Sequence, residues 1–272
     1  MLSSLHVIQG SAMTRILSRN DQHAPVAPEA PIDAPAHDDT QARTEPSDGV
    51  AAAVHPRFQR RQIVPDNHFL GLSRQVAALT GLGETESCVS IGVTSAMRHE
   101  GVTSVATNLA VAANQDLTGK VLLVDANFAA PHAAEFAGGR HGDGLADLLR
   151  GSVDSLDSCV QRVGGLDVLP AGSQRACSEL SVSASHVQSL IRRMARSYEM
   201  IIFDLPVACE LTPCFTIARC LDGVVLVVEA ERTRSKAVER AKRQLQQAGA
   251  DVLGVAFNKR KDHVPSWIYN RI

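Results

Sequence analysis

The stretch CVSIGVTSAMRHEGVTSVATNLA, residues 88–110, decides the fold of this 272-residue chain. It begins with a short apolar run at residues 89–93, which is typical of a buried strand. It ends in a helical sequence that starts after Gly101. A strand, a glycine-containing loop and a helix in this order predict the first βα unit of a parallel sheet. In such sheets ligands bind beyond the carboxyl ends of the strands, so this loop is the first candidate site.

The rest of the chain repeats the alternation of strand and helix. Further apolar runs predict strands at residues 121–124, 166–169, 200–203, 224–228 and 252–257. Apolar residues recur at helical spacing at Val187, Leu190, Ile191 and Met194, and again at Ala237, Val238, Ala241, Leu245 and Ala248. Gly249 follows the second set as a helix stop, and another helix is expected at residues 69–79. The pattern predicts an α/β fold with a mostly parallel sheet and helices on both faces.

The N-terminal part has a different composition. Residues 1–57 contain no Phe, Trp or Tyr, and six of the 12 prolines lie in residues 21–56. Such a segment buries too little apolar surface to offset its ordering entropy. We expect a disordered Pro- and Ala-rich tail before the domain. The expected boundaries are a tail at 1–60, a linker helix at 61–84, the α/β domain at 85–262 and a C-terminal tail at 263–272.

Composition excludes several classes of protein. The net charge of −2 argues against a nucleic-acid partner, which usually requires a strongly basic face. No apolar run reaches the roughly 18–20 residues of a membrane span, and the start lacks the features of a secretory signal. The six cysteines include no C-x-x-C pair, which favours free thiols in a reducing compartment. A cytoplasmic location is therefore expected.

The loop after the first strand fits a phosphate-binding loop only in part. In G-x-x-x-x-G-K-[ST] the backbone N–H groups cradle phosphates, the lysine meets their charge and the hydroxyl binds Mg²⁺. This chain keeps Gly101 and the hydroxyl of Thr103, but Ala96 replaces the first glycine and Val102 stands in the lysine position.

Two later strands each end in a carboxylate, at Asp125 and Asp204. With Thr103 they predict two carboxylates and a hydroxyl at one sheet edge, which suits a hydrated Mg²⁺. The alternative is that each aspartate only caps a strand or a following helix.

Seven segments in series resemble the cytoplasmic P-loop domain of the bacterial tyrosine kinases (BY-kinases) of capsule and exopolysaccharide synthesis, within the MinD/ParA-like ATPases. They lie at residues 101–110, 121–131, 144–151, 169–172, 198–206, 222–228 and 254–258. The resemblance implies a P-loop NTPase-like domain that uses ATP or ADP and Mg²⁺. It assigns nucleotide contacts to Gly101, Val102, Thr103, Ser104 and Asn258. It also assigns Mg²⁺ to Thr103, Asp125 and Asp204, and it makes the two aspartates the catalytic positions.

The chain departs from this family at positions that matter for catalysis. Val102 removes the lysine, Arg98 and His99 replace the family's Pro-Gly, and Asn127 and Ala129 replace a carboxylate and an arginine. Phosphoryl transfer depends on positioning and electrostatic stabilisation, so these losses predict weak nucleotide binding and little turnover.

The chain also lacks most of the family's tyrosine acceptors and most of the family's ring-forming motif. Tyr198 is expected to be packed, which leaves Tyr269 as the single acceptor in a region where the family has a tyrosine cluster. The family's E-x-x-R-x-x-R helix, aligned on Arg74, has His68 and Gly71 at its other two positions. A large ring is therefore not expected.

Three functions follow as hypotheses. The first is a catalytically impaired subunit that works through a membrane-anchored polysaccharide copolymerase or a kinase paralogue, at the inner face of the membrane. The second is an active tyrosine kinase or ATPase with a variant loop. The third is a MinD/ParA-like positioning ATPase, against which Met97 stands at the position of that group's first signature lysine.

Overall fold

A computed structural model describes residues 7–8, 67–82, 88–208 and 212–259. The predicted C-terminal tail lies outside these ranges, and so does the predicted N-terminal tail except for residues 7–8. None of the helices in the described ranges has the length and apolar character that a bilayer crossing requires.

The described residues form one eight-stranded sheet. Its strands are β1 Val7–Ile8, β2 Val89–Ser95, β3 Val121–Asp125, β4 Gln161–Val163, β5 Leu166–Leu169, β6 Met200–Asp204, β7 Gly223–Glu229 and β8 Val252–Asn258. Their order across the sheet is β1-β8-β7-β2-β6-β3-β5-β4. The six inner strands are parallel, whereas β1 and β4 pair antiparallel at the two edges.

The central strands are buried along their whole length because helices cover both faces of the sheet. The helices are α1 Asn67–Thr80, α2 Val102–Asp116, α3 Ala133–Ala137, α4 Leu145–Arg150, α5 Leu156–Cys159, α6 Gln174–Ser178, α7 Ala184–Met194, α8 Thr212–Ala218 and α9 Ser235–Gln247. Strands buried on both sides read as continuous apolar runs, which is why the sequence located them. The predicted α/β fold with a mostly parallel sheet is confirmed.

Alternate residues of each strand pack into two separate cores. Ile201 and Phe203 of β6 face the core that contains α7 and α9. Met200 and Ile202 of the same strand face the core that contains α1 and α2. This alternation follows from the period of two along a strand.

Helix α1 covers the helix expected at residues 69–79 and lies within the segment predicted as a linker. It buries Phe69, Leu72 and Val76 in the core that it shares with α2. Arg74 adds an ion pair to Asp116 at the end of α2, with 2.8 Å between Nη2 and Oδ1. Because α2 begins at the candidate loop, the packing of α1 against α2 also helps to fix the position of that loop.

Candidate functional site

The loop between β2 and α2 is shaped by a glycine and by two side-chain hydrogen bonds. Gly101 caps α2 at φ 91°, in the left-handed region, and a Cβ there would lie 2.3 Å from Asn258 Nδ2. Only glycine satisfies both constraints. At the start of the loop, the Ser95 hydroxyl donates to the Met97 carbonyl at 2.7 Å, and the Thr94 hydroxyl donates to the Pro206 carbonyl at 2.6 Å. These contacts give the loop a defined shape.

Val102 is the first residue of α2 and is half-buried. Its side chain packs against the core built by α1, α2 and the sheet. The residue carries no donor and no charge, so the position that resembles the phosphate-binding lysine is part of an apolar contact. Thr103 and Ser104 follow in the first turn and are also half-buried. Residue 102 therefore offers no positive charge to a triphosphate at the start of α2.

Asp125 and Asp204 end neighbouring parallel strands and are register partners. Both are 1% exposed. Asp125 accepts hydrogen bonds from the amides of Ala133 at 2.9 Å and Asn127 at 3.1 Å. Burial raises the pKa of Asp125 to about 6, although these amides act in the opposite direction.

Asp204 has no such support. Neither of its carboxylate oxygens has a hydrogen-bond partner among the residues that the structure describes. Burial raises its pKa well above the usual value, and the nearby charge of Asp125 adds to the shift. The Thr103 hydroxyl lies close enough to oppose this rise in pKa, although it makes no hydrogen bond of ordinary geometry to Asp204. A buried carboxylate without a partner is costly, and it is a ligand that a divalent cation prefers.

The predicted Mg²⁺ ligands are therefore brought to one edge of the sheet, and their oxygen chemistry fits a hard cation. Within the described ranges, no group of three or more His, Cys, Asp or Glu side chains is arranged to hold a metal. A cation here has two carboxylates and a hydroxyl available from the protein. A bound Mg²⁺ would be held by these residues and would neutralise part of the charge of the carboxylates and of a phosphate.

Asn258, the predicted adenine contact, lies at the end of β8 and turns toward the loop. Its Nδ2 donates to the Glu100 carbonyl at 2.8 Å, and its Oδ1 accepts the amide of Lys259 at 2.9 Å. In this structure the side chain ties β8 to the loop. The adenine contact stays a prediction.

Glu100 is the site residue that sequence reasoning missed. It is 1% exposed, and its carboxylate accepts the amides of Met97 at 2.7 Å and Glu229 at 3.1 Å, together with the hydroxyl of Thr233. An acidic residue in a polar loop normally points to solvent. No local pattern signals its burial, because Glu229 and Thr233 lie at the end of β7 and in the turn after it, far from Glu100 in sequence.

Away from the carboxylate pair, hydrogen bonds centred on Asp147 connect the family-like segment at residues 144–151 to Ser173, which directly follows the segment at residues 169–172, and we name this connection the α4 joint. Asp147 of α4 accepts the amides of Gly144 and Ser173 at 3.1 and 2.8 Å, and the Ser173 hydroxyl at 2.8 Å. Burial opposes ionisation of Asp147, but these hydrogen bonds outweigh it and lower its pKa. The joint fastens α4 to the end of β5.

Tyr198 is buried, as predicted, and its hydroxyl donates to Asp167 at 3.2 Å. Burial raises the pKa of Tyr198 to about 12, and the negative charge of Asp167 contributes to this rise. A hydroxyl held in this way is a packing element rather than an exposed acceptor.

Comparisons with known proteins agree with the motifs and the fold. A family model described as "Cellulose biosynthesis protein BcsQ" matches residues 90–267. The chain is 31% identical to tyrosine-protein kinase YwqD of Bacillus subtilis (strain 168), over 63% of this chain and 73% of the kinase. It is 29% identical to tyrosine-protein kinase CpsD of Streptococcus agalactiae, over 65% of this chain and 78% of the kinase.

Among solved structures, the chimerical protein CapA2B2 superposes with a TM-score of 0.62 and 26% identity, over 72% of this chain and 85% of that chain. The resemblance read from the seven segments is thereby confirmed. The chain belongs to the family described as cellulose biosynthesis protein BcsQ, and it is a P-loop relative of the bacterial tyrosine kinases.

Proposed function

We propose that the protein is a BY-kinase-like pseudoenzyme of exopolysaccharide synthesis or export, which acts as a regulatory or interaction subunit. Its partner is a membrane-anchored polysaccharide copolymerase or a kinase paralogue, and the protein reaches the inner face of the membrane through that partner. The family description names cellulose, which makes cellulose the first polysaccharide to test.

The observation that carries this proposal is the environment of Val102. The side chain is half-buried against an apolar core, where the family places an ammonium group on the phosphates. Removing one group that stabilises the charge of a phosphoryl-transfer transition state costs on the order of 10²–10³ in rate. Asn127, which replaces a family carboxylate, lowers the expected rate further. Its side-chain oxygen accepts the Ala130 amide at 3.3 Å and so serves to cap a turn.

A second candidate is an active tyrosine kinase or ATPase with a variant loop. One observation favours it: Asp125 and Asp204 remain adjacent and buried, with Thr103 beside Asp204. ATP or ADP with Mg²⁺ then binds without the lysine, at reduced affinity.

Transfer of radiolabel from γ-labelled ATP distinguishes the two candidates. The full chain, Val102→Lys and Tyr269→Phe are incubated with Mg²⁺ and with a tyrosine-containing peptide. We expect no label on the unmodified chain or on the peptide. Stoichiometric labelling that Tyr269→Phe abolishes would reject the pseudoenzyme and support the active kinase.

The partner is tested by cell fractionation. We expect the full chain to sediment with membranes when a candidate copolymerase is co-expressed and to stay in the supernatant when the copolymerase is omitted. The variant Asp125→Asn should behave like the unmodified chain, because docking does not depend on catalysis. Membrane sedimentation that is independent of the copolymerase argues against this partner.

A further inference from the structure

The candidate loop is held from outside by three different elements. The Glu100 carboxylate reaches away from the loop to the end of β7, where it accepts the Glu229 amide at 3.1 Å, and to the turn before α9, where it accepts the Thr233 hydroxyl. The same carboxylate accepts the Met97 amide at 2.7 Å, which closes the loop on itself. One buried side chain thus fixes both the internal turn of the loop and its attachment to the sheet.

The last residue of β8 and the residue after it bind two consecutive carbonyls of the same loop. Asn258 Nδ2 donates to the Glu100 carbonyl at 2.8 Å, and Lys259 Nζ donates to the His99 carbonyl at 2.6 Å. Lys259 Nζ also lies 3.1 Å from Glu229 Oε2, and Arg232 Nη1 lies 3.0 Å from that same oxygen. The anchor of the loop and its neighbouring strands therefore form one connected hydrogen-bond network.

The backbone shows where this network is under constraint. Within the described ranges, the non-glycine residues with positive φ are His99, Glu231 and Lys259, at φ 68°, 65° and 57°. All three lie in the segments that meet at Glu100: the loop itself, the turn after β7 and the end of β8. Such conformations persist when the surroundings over-determine them, and they concentrate at functional sites.

We infer that Glu100 is a positioning residue, which holds residues 97–101 in the shape of a phosphate-binding loop without help from the side chain at position 102. The inference rests on the proposed function in one respect: the loop is treated as a nucleotide site that has lost the positively charged lysine side chain at position 102. Preorganised hydrogen-bond donors are what a phosphate site requires of its scaffold. Glu100 supplies part of such a scaffold through its contacts with Met97, Glu229 and Thr233, and Val102→Lys would restore the charge that position 102 lacks.

Hydrogen exchange on the full chain, without nucleotide, tests the anchor itself. Thr233→Val removes the hydroxyl and keeps the side-chain shape, and Glu100→Gln replaces one acceptor with a donor facing the Met97 amide. We expect amide exchange in residues 97–101 to rise about ten-fold in both variants, since each loses a contact that protects the loop. Thr233→Ser keeps the hydroxyl and should restore protection.

Glu199→Gln is the matched control, because Glu199 Oε2 also accepts a main-chain amide, that of Gly119 at 2.5 Å, at the opposite edge of the sheet. It should leave residues 97–101 unchanged. Unchanged exchange in both Glu100→Gln and Thr233→Val would overturn the inference, and equal acceleration in Glu199→Gln would reduce it to a general loss of stability. If Glu100→Gln does not fold, the two Thr233 variants decide.

Binding of a fluorescent ATP analogue with Mg²⁺ then separates the inference from the proposed function. In a Val102→Lys background, Thr233→Val should weaken binding several-fold, and Glu199→Gln should not. If Val102→Lys does not bind the ATP analogue more tightly than the unmodified chain, the proposed effect of the missing lysine is wrong. The hydrogen-exchange result on the chain with Val102 still decides the role of Glu100. If Val102→Lys gains affinity that Thr233→Val leaves intact, the positioning role is wrong.

Discussion

Asp125 and Asp204 lie side by side at the ends of β3 and β6, but only Asp125 is hydrogen-bonded. Two buried carboxylates in register repel each other when both are ionised. The fold therefore carries an electrostatic cost at the edge where a cation fits, and this cost is measurable without any ligand.

Asp204→Asn should stabilise the protein at pH 7.5. The folded-state pKa of Asp204 is raised, so its carboxyl favours folding when protonated, and that contribution is lost as the pH rises above the unfolded value of 3.8. Asparagine removes the charge, and the thermal midpoint should rise by about 2–4 °C for each kcal/mol relieved. Thermal unfolding in EDTA from pH 4 to 8 measures the midpoints of both proteins. The difference in favour of Asp204→Asn should shrink toward pH 4.

Asp125→Asn is the comparison for that series. Asparagine can accept only one of the two amide hydrogen bonds that Asp125 accepts, so its gain should be smaller or reversed. A midpoint that falls in Asp204→Asn at pH 7.5 would show that the Asp204 carboxylate has a partner that stabilises it.

Asp147→Asn should destabilise the protein at pH 7 by about 1–3 kcal/mol, because asparagine removes the charge that strengthens the hydrogen bonds from the Gly144 and Ser173 amides and replaces the oxygen that accepts the Ser173 hydroxyl with an NH₂ group. The pKa of Asp147 is lowered by its hydrogen bonds against the effect of burial. Its contribution is therefore present above the unfolded value of 3.8 and is lost as the pH falls through the folded pKa. Urea unfolding at pH 7 and pH 3 should show the difference shrinking, and the exposed Asp143→Asn should change little.

Two glycines should respond to alanine in opposite directions. At Gly144 a Cβ would lie 2.0 Å from the Pro170 carbonyl oxygen, a main-chain atom, so Gly144→Ala should cost about 1–3 kcal/mol or more. At Gly71, in the exposed part of α1, a Cβ meets nothing within 4 Å, so Gly71→Ala should gain about 0.5–1 kcal/mol. Chemical denaturation of both variants checks the pair, and a stable Gly144→Ala would show that the α4 joint is loose.

Assembly is predicted from the same helix. Gly71 and His68 occupy two of the three charged positions of the family's ring-forming pattern, and Arg74 pairs with Asp116 of its own chain. We expect light scattering to give a monomer or a small oligomer across a concentration series. A stable ring-sized particle contradicts this expectation.

The sequence predicted the inner strands because burial on both faces makes each of them a continuous apolar run. It did not predict β4, Gln161–Val163, which is short and partly exposed, or β1, Val7–Ile8, whose pairing depends on a strand at the other end of the chain. Edge strands of this kind leave no periodic signal.

The same distinction applies to the site. Asp125 and Asp204 were predicted to meet because the carboxyl ends of parallel strands share an edge. The burial of Glu100 was not predictable, because its partners Glu229 and Thr233 lie 129 and 133 residues away in sequence. Contacts of this range appear only once the sheet order is known.

The loss of the phosphate-binding charge at position 102 is tested most directly by the dissociation constant of a fluorescent ATP analogue with Mg²⁺, measured for the unmodified chain and for Val102→Lys. We expect weak binding by the unmodified chain and at least about ten-fold tighter binding by Val102→Lys, which corresponds to about 1.4 kcal/mol. Tight binding by the unmodified chain that Val102→Lys does not improve would contradict that expectation.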